Sequence, residues 1–166
     1  MIKDGYDVAQ ICKNGHIVTI SYASNPNHSQ DYCDKCGEET LTACIKCDAS
    51  IRGKYRVAGV TDLRKVEPKL PRFCYKCGTA YPWTERALVA AKELAAEVEG
   101  LEPEELEKLN GSIDDLVKEG PQVIVATTRF KKLLKKAGDP AVTSALRDIL
   151  VDVISESAKK AIWPGL

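Results

Sequence analysis

The sequence lacks any run of 18 or more apolar residues, so nothing in it predicts a membrane-spanning helix. Its first ten residues, MIKDGYDVAQ, lack the apolar core of a signal peptide. There is no Gly-rich phosphate-binding loop and no excess charge, since 24 Lys and Arg balance 24 Asp and Glu. We therefore expect a cytoplasmic protein whose net charge alone does not attract polyanions.

Cysteine and histidine are missing from the second half of the chain. All seven cysteines and both histidines lie before residue 83, in a segment with many Gly, Asn and short turns. After Trp83 the composition changes to Ala, Leu, Glu and Lys. We therefore expect a loop-rich domain at 1–83 and a helical domain at 84–166. A small loop-rich domain buries too little apolar area to fold without a cross-link or a metal.

Six of the cysteines form three Cys-x2-Cys pairs, a spacing that lets a tight turn direct both sulfurs at one metal ion. The pairs are Cys33 with Cys36, Cys44 with Cys47, and Cys74 with Cys77. In a reducing compartment such pairs are more often metal ligands than disulfides. The residue after the second cysteine often needs a positive φ, which Gly37 and Gly78 adopt freely and Asp48 tolerates.

The seventh cysteine, Cys12, has no cysteine partner, but His16 follows it four residues later. Asn14 and Gly15 supply the turn between them. An imidazole can take the place of a second thiolate, so seven cysteines and one histidine make two closed sites of four ligands. His28, in the turn NPNHS, is the alternative fourth ligand, and we expect it at the surface.

The spacing leaves more than one way to pair the four half-sites. Sequential pairing puts Cys12, His16, Cys33 and Cys36 at one ion and Cys44, Cys47, Cys74 and Cys77 at the other. Cross-brace pairing, first with third and second with fourth, and nested pairing are the alternatives. We favour sequential pairing because its spacers of 16 and 26 residues suit the strands of two zinc-ribbon hairpins. Thiolate-rich ligands suit Zn²⁺, with iron as the alternative, so we expect two structural zinc ions.

The second half contains four stretches with apolar residues at helical spacing. Thr84 is a candidate N-cap for the first, and Pro103 begins the second, which Asn110-Gly111-Ser112 could break. The third ends at Gly138, and Asp139 caps the fourth. Short connections predict a bundle of about four helices. The expected fold class is α+β, with two zinc-ribbon β-hairpin units followed by an all-α bundle.

Four segments, ICKNGH, DYCDKCGEET, CIKCDASIRGKYRV and PRFCYKCGTAYPWTE, resemble in order and spacing the bacterial family known as domain of unknown function 2321. The basic helical segment and the helix around DILVD are similar too, so the resemblance covers nearly the whole chain. It implies a zinc-ribbon protein without an assigned activity and the same eight ligands by position. The one departure is Asp48, where a glycine would be easiest.

Closed sites of four ligands argue against catalysis, because a hydrolytic zinc needs an open position for water. We therefore expect a non-enzymatic zinc-binding module that binds a macromolecule. A protein partner is favoured, with the chain acting as an interaction or regulatory adaptor. The helical half is also a candidate surface for homo-oligomers.

Nucleic-acid binding is the alternative function, because the segment 51–77 carries eight Lys or Arg against two acidic residues, with aromatic residues between them. We expect this segment to form a projecting basic hairpin. The candidate contacts are Arg52, Lys54, Tyr55, Arg56, Arg64, Lys65, Lys69, Arg72 and Lys76. The simpler interpretation is a solvated surface whose cations offset the negative charge of the metal thiolates.

A second basic run, RFKKLLKK at 129–136, carries five cations around three apolar residues. At helical spacing the apolar residues face one way, and the cations form a solvated face or contact phosphate or an acidic membrane surface. Residues 85–119 have the opposite character, with eleven acidic and four basic residues. The basic run could therefore pair with the protein's own acidic helices or with another copy.

Overall fold

A computed structural model describes residues 4–60 and 68–165. The chain divides into two compact units, one that ends at Thr84 and one that begins at Glu85. Short antiparallel strands occupy the N-terminal part and five helices follow them, so the predicted α+β class is confirmed. Within the described residues, no helix is both long and apolar enough to cross a membrane.

Five short strands form two small sheets in the first unit. They are β1 (Gly5–Val8), β2 (Gln10–Cys12), β3 (Ile17–Thr19), β4 (Thr40–Leu41) and β5 (Arg52–Arg56). Strand β1 pairs antiparallel with β5, and β2 pairs antiparallel with both β3 and β4. Each of the three Cys-x2-Cys turns is closed by one antiparallel bridge, namely Tyr32 to Glu39, Ala43 to Ser50, and Phe73 to Ala80.

The apolar core formed by the described residues of the first unit is small. The largest side chains buried there are those of Ile11, Ile51, Tyr81 and Trp83. The Trp83 ring stacks on that of Tyr81, with centroids 4.6 Å apart, and its Nε1 donates to the Pro71 carbonyl at 2.7 Å. So few apolar groups leave the unit dependent on further cross-links, which is the role predicted for the metals.

Gly53 lies where β5 passes close to the segment that follows β3. The N–H of Lys54 donates to the Ile20 carbonyl at 2.8 Å. A Cβ on Gly53 would lie only 2.2 Å from that same oxygen. Because a side chain would collide with backbone, glycine is required for this approach.

Asp7 in β1 is a buried carboxylate that anchors the turn after β3. Its Oδ1 accepts from the N–H groups of Val8 at 2.7 Å and Ala23 at 3.0 Å. Its Oδ2 accepts from the Ser24 hydroxyl at 2.5 Å and lies 3.3 Å from Arg56 Nε. Burial raises the pKa of Asp7, but these hydrogen bonds and the Arg56 charge outweigh it, so the pKa is held below its ordinary value.

Asp7→Asn is expected to destabilise the first unit by about 1–3 kcal/mol, because the amide loses the charge that its donors and Arg56 stabilise. Because the pKa of Asp7 is lower in the folded state, its charged form stabilises that state at pH values above the pKa of the unfolded chain. This stabilisation is lost only as the pH falls through the pKa of the folded state. The decrease in the free energy of unfolding caused by Asp7→Asn should therefore be constant from pH 6 to pH 8. Urea unfolding followed by Trp83 fluorescence in a Trp163→Phe background measures it. The exposed Asp31→Asn is the matched control, and a loss that varies across this pH window would contradict the expectation.

The helices of the chain are α1 (Pro82–Ala96), α2 (Pro103–Leu116), α3 (Gln122–Ala137), α4 (Pro140–Leu150) and α5 (Glu156–Ile162). Helix α3 packs against α2 and α5. Its buried side chains recur at helical spacing, and they are Val123, Ala126, Thr127, Phe130, Leu133 and Leu134. Phe130 is fully buried, as are Leu109, Ile113 and Leu116 of α2. The described part of the second unit therefore has an apolar core of its own.

One end of each of three helices follows the sequence prediction. The Asp139 side chain accepts from two backbone N–H groups in the first turn of α4, and α3 ends at Gly138 with a left-handed φ of 69°. Helix α2 begins at Pro103 with a capping box between Glu102 and Glu105. Local sequence thus sets these boundaries.

Two details of the predicted helices are wrong, and one possible break does not occur. Thr84 is not the N-cap of α1 but lies buried inside its first turn, where its hydroxyl donates to the Arg72 carbonyl at 3.0 Å. The stretch Asn110-Gly111-Ser112 does not break α2, and Ser112 is buried within it. A fifth helix, α5, follows the N-cap Ser155, so the described residues contain one helix more than the predicted four.

Candidate metal centres

Four of the predicted ligands meet between the β2–β3 turn and the first Cys-x2-Cys turn. The Sγ of Cys12 lies 3.5 Å from Nδ1 of His16 and 3.8 Å from Sγ of Cys36. The Sγ of Cys33 lies 3.6 Å from the same His16 nitrogen. The four donor atoms all lie within 4.8 Å of one another. We name this group the first cluster.

The other two Cys-x2-Cys turns meet in a second cluster. The Sγ atoms of Cys44 and Cys77 lie 3.7 Å apart, as do those of Cys47 and Cys74. These four donor atoms also lie within 4.8 Å of one another. The structure thus groups the half-sites sequentially rather than in the cross-brace or nested arrangement. All seven cysteines are free thiols.

The distances within the clusters are those of ligands around a tetrahedral zinc ion. Two Zn–S bonds of about 2.3 Å place their sulfurs about 3.8 Å apart, and a Zn–N bond of about 2.1 Å places sulfur and nitrogen about 3.6 Å apart. The closest sulfur pairs lie at 3.7 and 3.8 Å, and the sulfur–nitrogen pairs at 3.5 and 3.6 Å. A disulfide would need about 2.05 Å. The donor sets therefore fit two tetrahedral metal ions.

The three Cys-x2-Cys turns share one backbone path. The residue after the second cysteine is Gly37, Asp48 or Gly78, and it donates its N–H to the carbonyl of the first cysteine at 2.7–2.9 Å. These residues have φ between 56° and 71°, the positive values predicted from the sequence. In the fourth half-site the N–H of His16 donates to Sγ of Cys12 at 3.3 Å. Each turn thus directs its donors to one side.

Backbone and side-chain donors stabilise the thiolate form of two sulfurs. The pKa of the Cys36 thiol is lowered to about 6, mainly because the Glu38 N–H donates a hydrogen bond to its sulfur. The hydroxyl of Thr79, and then its N–H, lower the pKa of Cys77 to about 6. Other thiols of the same clusters shift the opposite way. Burial raises the pKa of Cys12, and although the Ala49 N–H lowers the pKa of Cys47, burial and the three neighbouring sulfurs raise it to about 12. Since the thiolate is the form that binds metals, these contacts favour Cys36 and Cys77 as the first ligands to ionise.

His28, the alternative ligand, lies outside both clusters. It is the last residue of a short 3₁₀ turn, Pro26–His28, and is exposed. Its position at the surface is the one predicted from the NPNHS turn.

In the described parts of the basic segment, 51–60 and 68–77, the structure does not show the projecting hairpin that we predicted. Strand β5 of this segment pairs instead with β1, from the start of the chain. Arg56 forms an ion pair with Asp7, and Arg72 is half-buried. Of the other proposed cations, Lys54 is half-buried, whereas Lys69 and Lys76 are exposed. Arg64 and Lys65 lie outside the described residues.

Arg52 and three tyrosines form an exposed group, which we name the Tyr–Arg cluster. The guanidinium carbon of Arg52 lies 3.8 Å from the Tyr75 ring centre and 4.7 Å from that of Tyr6. The Tyr6 and Tyr55 rings meet edge to face with centroids 5.0 Å apart. All three rings are about half exposed. The contacts predicted from the sequence include Arg52 and Tyr55 but not Tyr75 or Tyr6. Tyr6 could not be found that way, because only the long-range β1–β5 pairing brings it here.

The second basic run lies on α3 and behaves partly as predicted. Its three apolar residues, Phe130, Leu133 and Leu134, are buried. Lys136 pairs with Glu105 of α2 at 2.6 Å, so one cation of the run does bind the protein's own acidic segment. The other four cations are exposed.

A family model described as an uncharacterized protein conserved in bacteria, domain of unknown function 2321, matches residues 5–162. The match includes both clusters and all five helices. Neither the curated proteins nor the solved structures gave a match.

Proposed function

We propose that this chain, which belongs to the bacterial family known as domain of unknown function 2321, is a non-enzymatic protein-interaction adaptor with two structural zinc ions. The first cluster would hold one ion through Cys12, His16, Cys33 and Cys36. The second would hold the other through Cys44, Cys47, Cys74 and Cys77. When bound, each zinc would supply a tetrahedral link between two turns.

The observation that carries this proposal is the tetrahedral spacing of four donors in each cluster. Cysteine-rich sets of four are typical of structural zinc, whereas catalytic zinc usually has three protein ligands and an exchangeable water. Thiolate-rich tetrahedral sets suit zinc, with iron as the alternative. A cytoplasmic location agrees with this, because reducing conditions keep the cysteines available as thiolates.

A protein partner is favoured by the surface of the first unit. Tyrosine and arginine are enriched at the centres of protein interfaces, where they contribute much of the binding energy. The Tyr–Arg cluster presents three such rings around one guanidinium. Within the same segment Arg56 is already paired with Asp7, which leaves that guanidinium less available to a phosphate backbone.

Nucleic-acid binding through segment 51–77 is the second candidate, and the Tyr–Arg cluster is also the observation in its favour. Unpaired bases stack on exposed aromatic rings, and arginine contributes both stacking and charge. In this alternative Tyr6, Tyr55 and Tyr75 would form the stacking surface and Arg52 would contact phosphate.

Titration with random single-stranded oligonucleotides separates the two candidates. For an adaptor we expect no measurable binding by the zinc-loaded chain at low salt. Binding whose affinity falls steeply as salt rises would instead support the second candidate, because phosphate contacts release counterions. Arg52→Ala, compared with Lys118→Ala at an exposed position just after α2, would assign such binding to the Tyr–Arg cluster. Fluorescence anisotropy of a labelled oligonucleotide is the measurement.

A further inference from the structure

Two large aliphatic side chains of α3 lie outside its buried stripe. Ile124 is 72% exposed and Val125 is 48% exposed. The core positions of the same helix are already filled, with Phe130 fully buried. Two adjacent exposed aliphatic residues contribute little to the fold, and such patches often mark a contact surface.

Three adjoining depressions follow the exposed side of α3, and together we name them the α3 groove. The first lies between α3 and α5 and the second between α3 and α2, and Ile124 and Thr128 line both. The third lies beside Trp163. It shares Lys131 with the first and Lys132 with the second. Because Ile124 and Thr128 line depressions on both flanks of α3, they form a low crest within this surface, and most of the exposed area along it is apolar.

The rim of the α3 groove is positively charged. Its five cations are Lys108, Arg129, Lys131, Lys132 and Lys135. Among the lining residues the one acid is Glu105, and it already pairs with Lys136 at 2.6 Å. Lys131 donates to the Ala161 carbonyl at 3.2 Å, which holds its charge at the edge between α3 and α5. A ligand for this surface must therefore combine apolar groups with negative charge.

We propose that the α3 groove binds an amphipathic helix of a partner protein, with an apolar stripe toward the groove and acidic residues on both flanks. A helix in a groove anchors itself through apolar side chains one turn apart, and Ile124, Val125 and Trp163 offer the matching contacts. Carboxylates on its flanks would pair with the lysines of the rim, which steers association and selects acidic partners. The inference rests on the adaptor function and names the class of its partner.

The depressions on the two flanks of α3 favour a helix over a membrane surface as the occupant. The buried stripe of α3 is turned into the core, and on the outer face Ile124 lies between two depressions that can receive the side chains of an incoming helix. A peripheral membrane helix instead lays its own apolar face into the lipid. Anionic vesicles are therefore a control rather than the expected ligand.

Two designed helical peptides test this proposal on the full, zinc-loaded chain. Both carry leucines one turn apart, and one has glutamates on its flanks where the other has lysines. We expect the acidic peptide to bind at least about tenfold more tightly, because only its charges complement the rim. Ile124→Ser, and separately Lys132→Glu with Lys135→Glu, should each weaken its binding at least about tenfold. Lys118→Glu, an exposed charge reversal outside the groove, should leave binding unchanged.

Four results would overturn the proposal. They are equal affinity for the two peptides, failure of both peptides to bind, acidic-peptide binding that Ile124→Ser leaves intact, and binding to phosphatidylserine vesicles in place of the peptide. Self-association in sedimentation velocity that Ile124→Ser abolishes would assign the groove to a second copy instead. If any of these results is obtained with a chain that retains two zinc ions and binds no oligonucleotide, the adaptor function is unaffected. Failure of the helix-binding proposal can therefore be distinguished from failure of the adaptor function.

Discussion

Removal of the metals should unfold the first unit and leave the helical unit folded. Outside the undescribed residues 61–67 and the first three residues, the first unit buries few large apolar side chains, chiefly Ile11, Ile51, Tyr81 and Trp83. Structural zinc contributes about 10–16 kcal/mol of apparent binding free energy in small zinc domains, which is as large as the whole stability of a typical domain, about 5–15 kcal/mol. A unit with so small a core has little left to hold it when both ions are gone.

Two tryptophans allow each unit to be followed separately. In Trp163→Phe the remaining signal is from Trp83, which is buried in the first unit, and a strong chelator should shift its emission to the red. In Trp83→Phe the signal from Trp163 should change little, and most of the helical circular dichroism should remain. Added zinc should restore the emission of Trp83. Native-like Trp83 emission after complete removal of metal would contradict a structural role for zinc.

The two clusters of candidate ligands are the part of the molecule that the sequence predicts best. The Cys-x2-Cys spacing is a local property of a turn, and each turn repeats one backbone path with Gly37, Asp48 or Gly78 at positive φ. His16 is predictable by the same logic, because only a fourth donor completes a set of three cysteines. Chemistry and local geometry therefore sufficed to select these residues, without any knowledge of the fold.

Helix boundaries are predictable where local sequence determines them, and the predictions fail where tertiary packing determines them. Asp139 and Gly138 mark the ends of α4 and α3 as expected. Thr84 looks like an N-cap in sequence, but the chain before it packs so that the Thr84 hydroxyl bonds to the Arg72 carbonyl instead. The glycine at 111 does not end α2, since residues on both sides of it, such as Leu109 and Ile113, are buried.

Surfaces made by distant segments could not be predicted from one sequence. The partner of β5 is β1, and this pairing places Asp7 beside Arg56 and Tyr6 beside Arg52. Composition alone suggested a free basic hairpin, because it does not show which cations an acidic group elsewhere will neutralise. The exposure of Ile124 was predictable, since Ile124 is not one of the regularly spaced positions of α3 that form its buried face.

Loss of either cluster should remove one zinc ion and leave the other bound. Cys12→Ser combined with His16→Ala deletes half of the first cluster, and a site left with two protein ligands should no longer retain a tightly held ion. Cys44→Ser combined with Cys47→Ser does the same to the second cluster. His28→Ala is the matched control, because this histidine lies outside both clusters, and it should keep both ions.

Native mass spectrometry of the purified chain and these variants, with elemental analysis to identify the metal, tests the zinc centres most directly. We expect two zinc ions in the unaltered chain and in His28→Ala, and one in each double variant. Two tightly held ions in Cys12→Ser/His16→Ala would show that this pair does not complete a site. Iron in place of zinc, or an unaltered chain that folds without any metal, would contradict the account as a whole.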